Sequence, residues 1–161
     1  MGQNIMIRDF EITDMNSLVK LMEQHATEAG EGVGTFEETN LIEMIRQHHI
    51  KPNRKFIVAE RHNEVKGYVM CTVFSNPYNG KKEGLINFLY ADPEYRQGFM
   101  AKDLLASAEA YFREKECKFF NANTRAFDQN YQPNEDFIAS ADSFFAKTMT
   151  HCGSNYVKEI M

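Results

Sequence analysis

Residues 85–105 read Leu-Ile-Asn-Phe-Leu-Tyr-Ala-Asp-Pro-Glu-Tyr-Arg-Gln-Gly-Phe-Met-Ala-Lys-Asp-Leu-Leu. An apolar run halts at Asp92-Pro93, and a short turn carries Arg96 and Gly98. An amphipathic helix follows, with Met100, Ala101, Leu104, Leu105, Ala108, Tyr111 and Phe112 on one face. A strand that enters a helix through a small-residue turn suits an anion such as phosphate. Unpaired backbone N–H groups and the positive end of the helix dipole converge there.

Upstream, Asn4–Phe10 reads as a strand. From Asp14 the apolar residues Met15, Leu18, Val19, Met22 and Ala26 recur at helical spacing, with Thr13 as the N-cap. Three glycines within residues 29–34 end that helix. Thr35 and Glu38 form a capping box for a second helix through Leu41, Ile42 and Ile45, closing before Pro52. Lys55–Arg61 and Val65–Phe74 read as a hairpin around His62-Asn63-Glu64, and Leu85–Ala91 as the next strand. Downstream, Cys117–Ala122 is a strand, and 125–136 is polar and irregular. Ile138–His151 is a helix with Ala141, Phe144, Phe145, Thr148 and Met149 on its apolar side, and Tyr156–Met161 is a closing strand. The order is β-α-α-β-β-β-α-β-α-β, an α/β (α+β) chain with a mixed sheet and helices on both faces.

At 161 residues the chain is expected to form one domain over 1–161 with a substantial core. No apolar run approaches the roughly 18 residues of a membrane span. The start, Met1-Gly2-Gln3-Asn4-Ile5, has no secretory pattern, so a cytoplasmic location is expected. Net charge is −5 and the 18 basic residues are scattered, which argues against a nucleic-acid groove. Cys71, Cys117 and Cys152 have no paired spacing and read as buried free thiols. The five histidines show no zinc spacing and read as surface or cap residues, so no metal is expected.

The segment 89–105 resembles the pyrophosphate-binding motif of the GNAT superfamily of acyl-CoA-dependent N-acyltransferases. That motif runs from an apolar strand through Asp-Pro-Glu-Tyr-Arg and Arg/Gln-x-x-Gly-x-Gly/Ala to a helix with paired leucines. Arg96, Ala101 and Leu104-Leu105 match it, while Phe99 stands at the middle glycine and Gly98 one place early. The order of elements agrees as well, which implies a GNAT-like, mostly antiparallel central sheet. The resemblance implies that Arg96, Gln97, Gly98, Phe99, Met100, Ala101 and Lys102 hold the pyrophosphate of acetyl-CoA as co-substrate. The backbone of Leu89, Tyr90 and Ala91 would then receive the pantetheine arm and polarise the thioester, on a strand that usually bulges and splays in this family.

Transfer to an amine also needs a proton removed. A lysine-like amine has a pKa near ~10.4, so the neutral form costs roughly 4–5 kcal/mol at neutral pH. The family's strand glutamate aligns with Leu85; Glu83, or Asn87 through a water, shares its face and is the candidate base. The family's last-helix tyrosine aligns with Phe145, which has no hydroxyl, leaving Tyr131 and Tyr156 as possible proton donors to the thiolate. Phe145 itself is assigned to the cofactor site. Glu28, Glu31, Glu37, Glu38, Glu135 and Asp136 would form an acidic rim for a cationic acceptor.

Two readings stand. One is an N-acyltransferase moving an acetyl group from acetyl-CoA to a primary amine, on a small molecule or a protein, by direct attack. The other is a catalytically inactive GNAT-like binding or structural module, such as a phage protein, motivated by the departures at Leu85, Phe99 and Phe145. The chain is expected to be a monomer, or a homodimer pairing through its final strand.

Overall fold

The computed structural model describes residues 4–29, 37–96, 98–123, 135–147, 149–152 and 155–160. Strand β1 (Met6–Asp9) leads through a 3₁₀ turn (Ile12–Asp14) to α1 (Met15–Ala29) and α2 (Glu38–Ile50). Then come β2 (Arg54–Arg61), β3 (Glu64–Ser75) and β4 (Lys82–Ala91). A second 3₁₀ turn (Pro93–Tyr95) precedes α3 (Met100–Glu114), β5 (Phe119–Asn123), α4 (Glu135–Ala146), β6 (Thr150–Cys152) and β7 (Asn155–Glu159).

Three boundaries differ from expectation, each because a specific partner wins. At the entry to α1 the cap is Glu11, heading the 3₁₀ turn, rather than Thr13: Asp14 completes a capping box, its carboxylate accepting from the Glu11 N–H at 2.8 Å and gripped by both Arg8 terminal nitrogens at 2.7 and 2.8 Å. The N-cap of α2 is Glu37, which puts Glu38 at the first helical position. An acid there complements the helix dipole, and Thr35 lies outside the described residues. The last helix stops at Ala146, because Thr150–Cys152 pairs with Asn155–Val157 as an antiparallel hairpin. That pairing gives the backbone partners that a fraying helix end lacks.

Among the described residues the sheet has seven strands in the order β1-β2-β3-β4-β5-β7-β6. Only β4 and β5 run parallel; the other pairs are antiparallel. The closing strand β7 therefore lies inside the sheet, between β5 and β6, and cannot be the free edge that pairing between chains would need. The edges are β1 and β6.

Helices cover both faces. On one, α3 and α4 bury Leu104, Tyr111, Phe112 and Phe145 against Val69, Cys71, Ile86 and Phe120. On the other, α1 and α2 bury Leu18, Leu21, Met22 and Ile45 against Phe56, Val58, Tyr68, Met70 and Tyr90. Two glycines seat α3 directly on the sheet. A Cβ on Gly84 would fall 2.5 Å from the Phe112 ring, and one on Gly67 would fall 2.7 Å from Met100 Sδ.

The feature that positions the site lies on β4. Its register with β3 runs Met70↔Phe88 and then Cys71↔Ile86, so Asn87 is an extra residue, a β-bulge. Its pairing with β5 covers only Glu83–Ile86 against Phe119–Ala122. Beyond Ile86 the two strands part, and β4 runs on to Ala91 with no β5 partner among the described residues.

Candidate active site

A cavity of about 480 Å³ opens where β4 and β5 part. One wall is the end of β4 (Leu89, Tyr90, Ala91), and another is the start of α3 with Arg96 and Ala101. The α4 side supplies Asp136, Ser140, Ala141, Phe144 and Phe145, and Glu28 closes it from the end of α1.

The turn leading into α3 follows from its sequence. Asp92 caps the 3₁₀ segment by accepting from the Glu94 N–H at 3.1 Å, with Pro93 at the first position where no N–H is needed. Phe99 is the N-cap of α3 and gives no side-chain hydrogen bond to it. The helical ladder opens with the Asp103 N–H donating to the Phe99 carbonyl at 2.8 Å. The amides of Met100, Ala101 and Lys102 precede that bond and have no acceptor within the helix.

Phe99 does not crowd the cavity. Its ring is 71% exposed, beside Lys102 Nζ, and its φ of −101° is open to any residue. Gly98 is not needed for freedom either, since a Cβ there would meet only the Tyr95 carbonyl at an ordinary 3.7 Å.

Arg96, expected at the pyrophosphate, is also engaged within the chain. Its Nε donates to the Ala91 carbonyl at 3.0 Å, and its two terminal nitrogens donate to the two Glu28 oxygens, the Nη2 bond at 2.7 Å. The guanidinium lies 5.1 Å from the Tyr90 ring centroid, and the Tyr90 hydroxyl donates to Glu28 at 2.6 Å. Burial raises the Glu28 carboxyl, but the hydrogen bonds from Arg96 and Tyr90 outweigh it and hold the group below the carboxylate range. The same pairing raises Arg96, and burial raises the Tyr90 phenol.

Behind this clasp sits His25, stacked on Tyr90 with ring centroids 4.4 Å apart, its Nδ1 2.5 Å from the Tyr68 hydroxyl. Burial pushes its pKa from 6.5 to about 4, so the ring is neutral and too weak a base for an alkylammonium. Burial also raises Tyr68, whose residue is fully buried. His25 was missed as a site residue, and Glu28, expected on an acidic rim, was missed as the partner of Arg96. They continue the core-facing stripe of α1 at three-residue steps from Met22, and a polar pair on such a stripe is the signal for them.

Of the predicted cofactor residues, Leu89, Tyr90, Ala91, Arg96, Ala101 and Phe145 line the cavity. Met100 is core, 1% exposed, and Phe99 and Lys102 face solvent. Neither base candidate lines it. Glu83 sits at the far end of β4 accepting from Asn76 at 2.7 Å, and Asn87 at the bulge accepts from Thr72 at 2.7 Å. In the expected acidic rim, Glu28 is neutralised by Arg96, Asp136 lines the cavity, and Glu37, Glu38 and Glu135 are exposed. Gln97, Glu31 and Tyr131 lie outside the described residues, as does the Tyr156 side chain. Cys71 and Cys117 are buried with thiols raised by burial, which disfavours a cysteine nucleophile. Among the described residues no group of three or more His, Cys, Asp and Glu could hold a metal ion, and no helix is long and apolar enough to cross a membrane.

Comparison with known proteins agrees with this architecture. The sequence pattern of the Acetyltransferase (GNAT) family matches residues 17–131. A GNAT-family acetyltransferase structure from Staphylococcus aureus superposes with a TM-score of 0.74 at 13% identity, covering 98% of this chain and 100% of that one. An aminoglycoside acetyltransferase from an uncultured soil metagenomic sample gives 0.70 at 15% identity, covering 98% and 92%. A predicted acetyltransferase from Clostridium acetobutylicum, solved with acetyl-CoA, gives 0.67 at 16%, covering 76% and 82%. No curated protein matches the sequence. Strand order, bulge, cavity and matched pattern lead to one assignment: the chain belongs to the GNAT acetyltransferase family.

Proposed function

We propose that this chain, a single domain over residues 1–161, transfers an acetyl group from acetyl-CoA to a primary amine. The observation that carries the reading is the cavity where β4 and β5 part, with the uncapped start of α3 at its head. Its donors suit an anion, its walls at Leu89, Ala141, Phe144 and Phe145 suit an apolar arm, and its depth reaches the backbone of β4.

In this reading the amides at the start of α3 take the pyrophosphate. The pantetheine arm lies along Leu89–Ala91 and against Phe145. Amides of β4 beside the bulge polarise the thioester carbonyl, where negative charge grows as the amine attacks. The tetrahedral intermediate collapses with loss of the CoA thiolate, which needs no tyrosine hydroxyl because it is a competent leaving group. We assign the amine's proton to solvent through a water held by Asn87, which faces the α1/α2 side of β4. Glu83 is bound to Asn76 about four residues from the bulge and is the weaker candidate. A cationic acceptor is favoured by Asp136 on the cavity wall and by the acidic residues Glu37, Glu38 and Glu135. The aminoglycoside acetyltransferase of the same fold supports an amine of that charge.

Thermal unfolding with acetyl-CoA at about a hundred times its dissociation constant should show stabilisation of roughly 2.7 kcal/mol. Release of free thiol on adding a panel of polyamines, aminoglycosides and lysine peptides tests transfer. Stabilisation without thiol release from any amine would reject the transferase reading, and no stabilisation would reject the cofactor.

A further inference from the structure

The cavity assigned to a polyanionic cofactor has an unexpected charge balance. Among the described residues its charged lining is Glu28, Asp136 and Arg96, one cation and two anions. The cation is also committed. Arg96 makes a two-bond fork to Glu28, a residue 68 positions earlier at the far end of α1, and Tyr90 supports both partners with its ring and its hydroxyl. Planar two-bond pairs of this kind are stronger and more directional than single contacts.

We propose that Glu28 is a positioning residue that withholds Arg96 from the cofactor phosphates and so sets acyl-CoA affinity. The inference rests on the acyl-CoA reading above. With Glu28 in place, phosphate binding relies on the amides of α3, and Arg96 serves to join α1 to the turn before α3. With its charge removed, the guanidinium is free to turn towards the phosphates from the cavity wall it already lines. One charge acting over about 8 Å at an effective dielectric of about 30–40 changes affinity by about five- to tenfold.

The test is CoA binding by calorimetry on the full chain, for wild type, Glu28→Gln, Arg96→Gln and the double variant. S-acetylpantetheine, which carries the arm and thioester but no phosphate, is the control ligand. Glutamine keeps an oxygen for the Tyr90 hydroxyl. Glu28→Gln should bind CoA about five- to tenfold tighter with S-acetylpantetheine unchanged, and Arg96→Gln should cost more CoA affinity in the Glu28→Gln background than in wild type. Unchanged or weaker CoA binding by Glu28→Gln overturns the proposal, as does an equal cost of Arg96→Gln in both backgrounds. Should Glu28→Gln not fold, Arg96→Lys provides a second route. Lysine cannot hold the fork, so tighter CoA binding supports withholding and weaker binding overturns it. If wild type binds neither compound, the acyl-CoA reading fails and withholding fails with it. If wild type binds CoA but Glu28→Gln does not improve it, only the withholding is lost.

Discussion

Phe99 occupies the position where the related motif places a glycine, and the geometry explains how a large ring is accommodated. The backbone there is not left-handed, and the ring points to solvent rather than into the cavity. A substitution removing an exposed ring with no cavity contact should act as an ordinary surface change, within about 0.5 kcal/mol. Phe99→Gly should therefore leave the acetyl-CoA dissociation constant within about twofold. A tenfold gain in a binding titration would show that the ring obstructs the site after all. The residues that depart from sequence reasoning are those whose partners are far away in the chain. Arg96 is conspicuous as a cation in a phosphate-like turn, but nothing near it in sequence reveals Glu28. His25 is an isolated histidine until folding brings Tyr68, 43 positions later, to its Nδ1.

Among the elements, α3 depends most on close approach to the sheet. The ring of Phe112 occupies the space where any Cβ on Gly84 would stand. Overpacking a fixed core costs typically 1–3 kcal/mol, so Gly84→Ala should lower stability by about that amount in urea unfolding. An unchanged midpoint would mean that α3 shifts freely, and the seating described here would be wrong. The elements themselves were largely legible because their periodicities are local. Alternating residues mark β2 to β4, and the stripe from Met100 to Phe112 marks α3. The bulge at Asn87 was not legible, because an extra residue exists only relative to the partner strand. Nor was the extra strand β6, since Thr150–Cys152 needs β7 to define it.

For the whole molecule, acid should act through histidine before it acts through carboxylates. His25 and His48 are both held below their ordinary 6.5 by burial, His25 at about 4. The unfolded chain thus binds more protons than the folded one between these values. The stability this provides is complete above about pH 6.5 and declines as pH falls towards 4, on the order of 3 kcal/mol for His25. Asp14, Glu28 and Glu109 are held below the carboxylate range, and their contribution is lost only at still lower pH. The urea midpoint should fall between about pH 7.5 and 5, and His25→Gln should flatten the dependence. Equal midpoints at the two pH values would mean that His25 is not held neutral in the folded protein.

The parting of β4 from β5 has a mechanical consequence. Among the described residues, four residue pairs, Glu83–Ile86 with Phe119–Ala122, and the bond from the Lys118 N–H to the Lys82 carbonyl make the join between the strands before it and the strands after it. A sheet so divided has a built-in line of weakness, and β5 to β7 are poised to loosen together rather than strand by strand. A molecule lying in the gap would stitch that line. Acetyl-CoA should then slow amide hydrogen exchange along β5 and β7, well beyond the residues it touches. Protection confined to Leu89–Lys102 would show instead that the two halves already move as one.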